Sequence, residues 1–91
     1  MQKIIKFSTP WYGPCQALKP VFEKIRQEYE PQGISFQEVN ADDDPEELTK
    51  TYRVMSVPTI LFLDGDGKVK DKTVGLVSEE ELRKRIRKLL S

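Results

Sequence analysis

Short apolar runs alternate along this chain with amphipathic stretches. Residues 2–8, 34–39 and 59–63 are rich in β-branched and aromatic side chains, and each is bounded by turn-forming residues, which predicts three strands. A fourth predicted strand, residues 68–74, is separated from the third by Asp-Gly-Asp-Gly at residues 64–67, a strong hairpin signal. The last two strands should therefore pair antiparallel.

The segment between the first two strands has apolar residues at helical spacing. These residues are Leu18, Phe22, Ile25 and Tyr29. Pro31 and Gly33 close the predicted helix, and Pro20 inside it predicts a kink because proline lacks a backbone donor.

A short second helix is predicted after the second strand. Asp44 suits its N-terminal cap, with Pro45 at the first helical position, and the helix should end near Arg53. Its inward side chains would be Leu48 and Tyr52.

The last helix has a capping box formed by Ser78 and Glu81. Its predicted core-facing residues are Leu82, Ile86, Leu89 and Leu90. Three ion pairs at i,i+4 are expected, namely Glu79 with Arg83, Glu80 with Lys84, and Glu81 with Arg85. The basic stripe of this helix is interpreted as a solvated face.

The predicted element order is βαβαββα within one domain, residues 1–91. Strands joined through a helix are parallel with a right-handed crossover, and the hairpin adds antiparallel neighbours. The expected fold class is therefore α/β, a four-stranded mixed sheet with helices on both faces.

Composition removes several classes of function. Fifteen basic and fifteen acidic side chains cancel, which argues against nucleic acid or an anionic membrane as partner. The chain has no histidine and one cysteine, Cys15, so a histidine triad, an ordinary zinc site and an internal disulfide are excluded. No metal or other cofactor is expected, and the acidic residues 42–47 would bind a cation only adventitiously. Without a bilayer-length apolar run or a secretory leader, a cytoplasmic location is the default.

A motif lies at the first strand-to-helix junction, where the sequence reads Trp11-Tyr12-Gly13-Pro14-Cys15. It resembles the Trp-Cys-Gly-Pro-Cys active site of the thioredoxin family at every position except one. The resemblance extends to Pro20, to Val57-Pro58 ahead of Thr59 and to Gly75, which match the family's kinking proline, its cis-proline loop and the glycine after its last strand. The thioredoxin fold is implied, in a form without the family's extra N-terminal strand and helix.

The resemblance also implies a chemistry. In the family, the first cysteine attacks a disulfide as a thiolate at the helix N-terminus, and the second cysteine resolves the mixed disulfide. Gly13 and Pro14 set the turn between them, Trp11 supplies an apolar wall, and the proline loop presents backbone groups to an extended substrate strand. Tyr12 stands at the attacking position here. We expect disulfide exchange to be lost or severely reduced, because a phenol of pKa about 10 is roughly 0.1% ionised at neutral pH.

Cys15 and Tyr12 each leave alternatives open. Cys15 is expected to be an inert core thiol, with a slow monothiol exchanger or a glutathione acceptor as the alternative. Tyr12 either lies on the surface without a task or joins Trp11 and the Pro58 loop in an aromatic patch that docks a peptide.

A second departure concerns a buried charge pair. The resemblance places an acid in the first core strand and a lysine in the adjacent one, whereas this chain has Lys6 and Glu38 at the matching positions. We hypothesise that the two side chains pair on a covered face of the sheet, because an unpaired charge there would cost several kcal/mol. The alternative is that both reach water separately. A protonated lysine cannot accept the proton that the family's acid takes, although Glu38 could reach the same region.

The leading interpretation is a thioredoxin-like oxidoreductase scaffold that is inactive or nearly so in the dithiol reaction, so its status as an enzyme is open. A reductase would serve an active parent. The alternatives are a redox-silent module that binds an extended protein segment at Trp11 and Pro58, and a designed or reconstructed sequence. A monomer is expected.

Overall fold

The computed structural model describes residues 1–91. Its elements, in chain order, are β1 (Lys3–Ser8), α1 (Gly13–Tyr29), β2 (Ser35–Asn40), α2 (Leu48–Thr51), β3 (Thr59–Leu63), β4 (Val69–Val74) and α3 (Glu79–Leu90). The predicted order βαβαββα is therefore confirmed. None of these helices combines the length and apolar composition needed to span a membrane.

The four strands form one mixed sheet in the order β2-β1-β3-β4. β1 pairs parallel with β2 and antiparallel with β3, and β3 pairs antiparallel with β4. The two central strands are the most apolar, because each is covered on both faces and has a neighbour on either side.

Helices cover both faces, as the sequence predicts. α1 and α3 pack on the face that presents Ile4, Ile60 and Phe62, where they form the larger apolar cluster. On the opposite face, Leu48 and Tyr52 from the region of α2 pack on a smaller cluster. Alternate residues of each central strand contribute to the two clusters, as the two-residue period of a strand requires.

α1 runs through Pro20 and ends at Tyr29. A short 3₁₀ turn, Glu30–Gln32, follows, and Gly33 then adopts a left-handed backbone with φ of +94°. That conformation costs glycine little, so Gly33 turns the chain into β2.

The second helix begins later than predicted. The residue at its N-terminal cap is Glu47 rather than the predicted Asp44, although the Asp44 carboxylate accepts the amide hydrogens of Leu48 and Thr49 at 3.0 and 2.8 Å. Glu47 has φ of +53°, outside the helical region, so Pro45 lies in the turn and the helix is a single turn.

The last helix agrees with the prediction at its start and differs from it at Leu90. Ser78 Oγ accepts the amide hydrogen of Glu81 at 3.1 Å. Leu90 was expected to face the core but is 42% exposed. At about 100° per residue, it lies about 80° around the helix from Leu82, outside the buried stripe.

Two of the three predicted ion pairs of α3 are present. Arg83 contacts Glu79 at 2.7 Å, and Arg85 contacts Glu81 at 3.0 Å. The expected pair between Glu80 and Lys84 is absent. The two arginines also bridge to other elements, Arg83 to Glu28 of α1 and Arg85 to Asp71 of β4, and this tertiary anchoring is what Lys84 lacks.

Candidate functional site

The loop from β1 to α1 places the motif at the end of a buried strand. Tyr12 has an extended backbone and immediately precedes the helix, and its carbonyl oxygen accepts the amide hydrogen of Gln16 at 3.0 Å. Gly13 and Pro14 are the first two helical residues, a place where the missing proline donor costs nothing. Cys15 follows as the third residue of α1, turned away from the tip.

Cys15 is buried, with 4% of its surface exposed. Its Sγ accepts the amide hydrogen of Thr9 at 3.5 Å. As the chain's single cysteine it is a free thiol with no internal partner.

Trp11 and Tyr12 form an exposed aromatic pair at the tip. Their exposed fractions are 68% and 40%, and the ring centroids lie 5.9 Å apart in an edge-to-face arrangement. The indole Nε1 of Trp11 donates a hydrogen bond to Asp42 Oδ2 at 2.5 Å. This bond anchors the indole over the loop that follows β2, whereas the side chain of Tyr12 makes no hydrogen bond.

A shallow apolar groove of about 360 Å³ runs beside the indole. Its apolar lining residues include Trp11, Met55 and Val57. The Val57–Pro58 peptide bond is cis, and Pro58 itself is buried. The exposed apolar surface of this loop therefore comes mainly from Met55, which is 92% exposed. In the predicted patch of Trp11, Tyr12 and Pro58, Met55 thus takes the place of Pro58.

Gly75 supports the proline loop from β4. Its amide donates to the carbonyl oxygen of Pro58 at 2.8 Å, and its φ is +89°. A side chain at this position would strain the backbone, so glycine suits the residue that makes this hydrogen bond to the proline loop.

Lys6 and Glu38 are direct neighbours across the parallel pair β1–β2. The ammonium Nζ lies 2.8 Å from Glu38 Oε1, within the 4 Å limit for an ion pair. The same nitrogen lies 4.8 Å from the centre of the Phe22 ring, which covers it from α1. Only Lys6 is buried, since the Glu38 side chain is 52% exposed at the edge of the sheet. The expectation that both charges lie on a covered face is therefore wrong for Glu38.

A second cavity, of about 430 Å³, lies between β1, β2 and α1 behind the motif. Its lining includes Lys6, Thr9, Cys15, Gln16, Lys19 and Glu38. The hydroxyl oxygen of Thr9 is buried and has no hydrogen-bond partner. Lys6, Glu38 and Cys15 thus line the same cavity.

The acidic segment after β2 is organised by local hydrogen bonds. The amide of Thr49, aided by its hydroxyl and by the amide of Leu48, holds the pKa of Asp44 below its ordinary value. Asp42 is engaged by Trp11. No three carboxylates in the chain are placed to share a metal ion.

Sequence reasoning missed three residues of this region. The amide of Thr9 donates to the thiol, Asp42 anchors the indole, and Met55 lines the groove with an almost fully exposed side chain. Of the three, only Met55 could have been found from the sequence, because it is an apolar residue in the predicted proline loop, three positions before Pro58. The other two roles depend on contacts between segments that are distant along the chain or on backbone amides, which the side-chain pattern does not encode.

Comparison with known proteins gives one consistent result. The thioredoxin family model matches residues 1–88. The thioredoxin of Borreliella burgdorferi is 42% identical over 77 residues, which are 85% of this chain and 63% of that protein. The thioredoxin of Mycoplasmoides gallisepticum is 34% identical over 80 residues, 88% of this chain and 76% of that protein.

A solved structure agrees with these relatives. The crystal structure of thioredoxin from Trypanosoma brucei brucei superposes with a TM-score of 0.85 at 27% identity, covering 99% of this chain and 75% of that one. The chain thus spans a little under two thirds of the Borreliella protein and about three quarters of the other two. With the family model matched over nearly all of its length, and the mixed sheet and helix-tip motif described above, this chain belongs to the thioredoxin family.

Proposed function

We propose that this protein is a thioredoxin-family member in which the two-cysteine reduction of protein disulfides is lost or severely reduced. The observation that carries the proposal is the position of the single thiol. Cys15 is 4% exposed behind the helix tip, whereas the exposed position next to Trp11 holds the phenol of Tyr12.

Each chemical step lacks a reactant. The first step needs a thiolate that can approach a disulfide in a large substrate, and a phenol does not form a useful bond to that sulfur. The second step needs another thiol in the same chain to release the mixed disulfide. This sequence has one cysteine, so even an attack by Cys15 would leave a mixed disulfide that only an external thiol could break.

The proton chemistry is altered as well. A lysine ammonium has no free electron pair, so Lys6 cannot take a proton from a thiol while it is charged. Glu38 lines the same cavity as Cys15 and is the one carboxylate there that could do so. A restored dithiol would therefore test whether the exchanged charges still support turnover.

The decisive experiment is the substitution Tyr12→Cys. With dithiothreitol as reductant and insulin as the disulfide substrate, we expect the unchanged chain and a matched Tyr12→Ser control to give the rate of the reductant alone. Tyr12→Cys should give measurable catalysis. Catalysis by the unchanged chain that is abolished in Cys15→Ser would contradict the proposal.

A second candidate function is a binding module for an extended protein segment. The exposed, hydrogen-bonded indole of Trp11 and the nearly fully exposed Met55 favour it, because they form a fixed apolar groove that needs no redox chemistry. Binding of cysteine-free peptides should change Trp11 fluorescence, resist reductant and be lost in Met55→Asp. Val69→Asp is the matched control, since Val69 is an exposed apolar residue on β4 outside the groove.

A monomeric state, a cytoplasmic location and the absence of nucleic-acid or membrane partners complete the proposal. The balanced charge supports the last of these. A reductase would be needed only by the Tyr12→Cys form. Sedimentation of the purified chain at several concentrations checks the monomer.

A further inference from the structure

The outer edge of β2 is unpaired. β2 lies at one end of the sheet and has a single neighbour, β1. Ser35 donates its amide hydrogen toward that neighbour, to the carbonyl oxygen of Gln2 at 3.0 Å. Because successive residues of a strand direct their backbone groups to opposite sides, the amide and carbonyl groups of Phe36 and Glu38 face outward. We propose that this edge binds an extended segment of a partner protein, with basic side chains at alternate positions, as an additional strand of the sheet.

The two edges of the sheet differ in how readily they can accept a new strand. β4, at the opposite edge, contains Lys70 and Lys72, and its pairing with β3 is irregular at Phe62 and Leu63. Edge lysines and bulges discourage pairing with another chain. β2 contains neither lysine nor proline, and it pairs with β1 in continuous register over all six residues. An extended segment that adds to this sheet should therefore pair with β2.

An added strand places its side chains alternately on the two faces of the sheet. The two faces at β2 are defined by its own side chains. Phe36 packs edge-to-face on Phe22 of α1, with ring centroids 5.7 Å apart, whereas Val39 belongs to the apolar cluster on the α2 face. Every second side chain of the guest segment thus lies on the α2 face, beside residues 37–40.

The groove on the α2 face of this edge is acidic. It has a volume of about 140 Å³ and extends from residues 37–40 to the loop before α2. Its lining includes no basic residue and four acidic ones, Glu38, Asp43, Asp44 and Glu46. Amides of α2 engage Asp44 and Lys6 engages Glu38, whereas Asp43 and Glu46 are exposed and make no ion pair. Two carboxylates are therefore free to meet lysine or arginine side chains of the guest, and this is the charge complementarity that selects it.

The α1 face of the edge suits an uncharged side chain. Glu38 lies on this face and is already neutralised by Lys6 at 2.8 Å. An acidic guest side chain opposite Glu38 would be repelled by it, and a basic one would compete with Lys6, so a short polar side chain such as threonine fits best. The pattern that this edge recognises is therefore a run of basic residues separated by single uncharged residues.

A second copy of this chain does not supply that pattern through the same edge. β2 has no basic residue, so two copies joined by their β2 edges would leave the acidic grooves uncompensated. The acidic groove is also separate from the groove beside Trp11, because the two share no lining residue. The proposal therefore stands or fails independently of peptide binding at Trp11 and Met55.

The first test measures binding of the fluorescein-labelled peptide Thr-Arg-Thr-Arg-Thr-Arg-Thr by fluorescence anisotropy at low ionic strength. We expect the unchanged chain to bind it, and to bind the peptide with glutamate in place of arginine at least about tenfold more weakly. The double substitution Asp43→Asn with Glu46→Gln should weaken binding of the arginine peptide about tenfold, through the loss of two ion pairs.

The matched control is Asp66→Asn with Glu80→Gln, which removes the same charge from exposed sites outside the acidic groove. It should change the affinity less than about twofold. Urea unfolding verifies that both double variants fold. No binding of the arginine peptide, or equal weakening by the two double substitutions, would overturn the proposal, because net charge alone would then govern the interaction.

The second test distinguishes strand pairing from contact with the acidic loop alone. Hydrogen exchange measured by NMR reports the backbone amides one by one. With the arginine peptide at about ten times its Kd, we expect exchange at Phe36 and Glu38 to slow about tenfold, while the amides on the free side of β4 stay unchanged. Unchanged exchange at Phe36 and Glu38 in this complex would overturn the addition of a strand.

The same measurement without peptide tests a second copy as the occupant of the edge. We expect exchange at Phe36 and Glu38 to be independent of protein concentration. Protection of these amides that rises with concentration, together with a dimer in sedimentation, would overturn the proposal and assign the edge to self-association.

Discussion

Lys6 is almost fully buried, and its ammonium is neutralised by Glu38, a carboxylate that is itself half exposed at the edge of the sheet. The Phe22 ring covers the same ammonium from the helix side. The pair therefore resembles neither a surface salt bridge, which stabilises little, nor a fully buried one, in which both ions are desolvated.

This asymmetry predicts unequal effects of removing each partner. Glu38→Gln should lower the free energy of unfolding by about 1–3 kcal/mol, because a buried ammonium loses its counter-charge. Lys6→Met should be close to neutral or stabilising, since an apolar side chain of similar length fills the site. In the Lys6→Met background, the effect of Glu38→Gln should fall below about 0.5 kcal/mol. Urea unfolding of the four proteins gives this double-mutant cycle.

The control for this cycle is Glu46→Gln, which changes an exposed carboxylate that has no ion pair. It should leave stability within about 0.5 kcal/mol of the parent. If Glu38→Gln were equally silent, the ammonium would be hydrated through the adjoining cavity rather than dependent on Glu38.

Tyr12 occupies the N-terminal cap of α1 without supplying a capping acceptor. Serine there could accept a free amide hydrogen of the first turn, so Tyr12→Ser should be more stable than Tyr12→Ala by about 0.5–1 kcal/mol. The alanine variant removes the aromatic ring equally and thus isolates the cap. Thermal or urea unfolding measures the difference, and identical stabilities would show that the amides are satisfied by water.

Asp44 should make stability depend on pH. Its carboxylate accepts from Leu48 and Thr49, and its pKa in the folded protein lies below the ordinary value of 3.8. The stabilisation is therefore fully present above the unfolded pKa and is lost as the pH falls through the lower, folded pKa. The stability difference between the parent and Asp44→Asn should be constant above about pH 5 and shrink at lower pH.

The matched control for this pH series is Asp43→Asn. Asp43 is exposed and its side chain makes no hydrogen bond, so its substitution should leave the shape of the acid limb unchanged. A parallel shift of both variants would assign the pH dependence to the general negative charge of the loop rather than to the hydrogen bonds that Asp44 accepts.

The leucines of α3 provide a test of its buried face. Leu82 is buried and Leu90 is largely exposed, so Leu82→Ala should cost about 2–5 kcal/mol and Leu90→Ala less than about 1 kcal/mol. Both substitutions remove the same atoms from the same helix. Similar losses would mean that the C-terminal turn packs against the core in solution.

The local sequence determined most of the architecture. Alternation in the strands, helical spacing from Leu18 to Tyr29, the Asp-Gly-Asp-Gly turn and the Ser78 capping box predicted the element order and the mixed sheet. These signals are short-range, because turns, caps and periodicity arise between residues within a few positions of each other. The single cysteine and the motif around Tyr12 were likewise evident from the sequence.

Only the tertiary structure decided which charges and apolar groups meet. It brought Lys6 to Glu38, Trp11 to Asp42 and Arg83 to Glu28, and it exposed Leu90 and Met55 while burying Pro58. It also joined Thr9 and Cys15 in one cavity with the charge pair. Burial depends on which elements pack on each other, and a long polar side chain selects its partner by distance in space, so neither outcome is contained in a local pattern of residues.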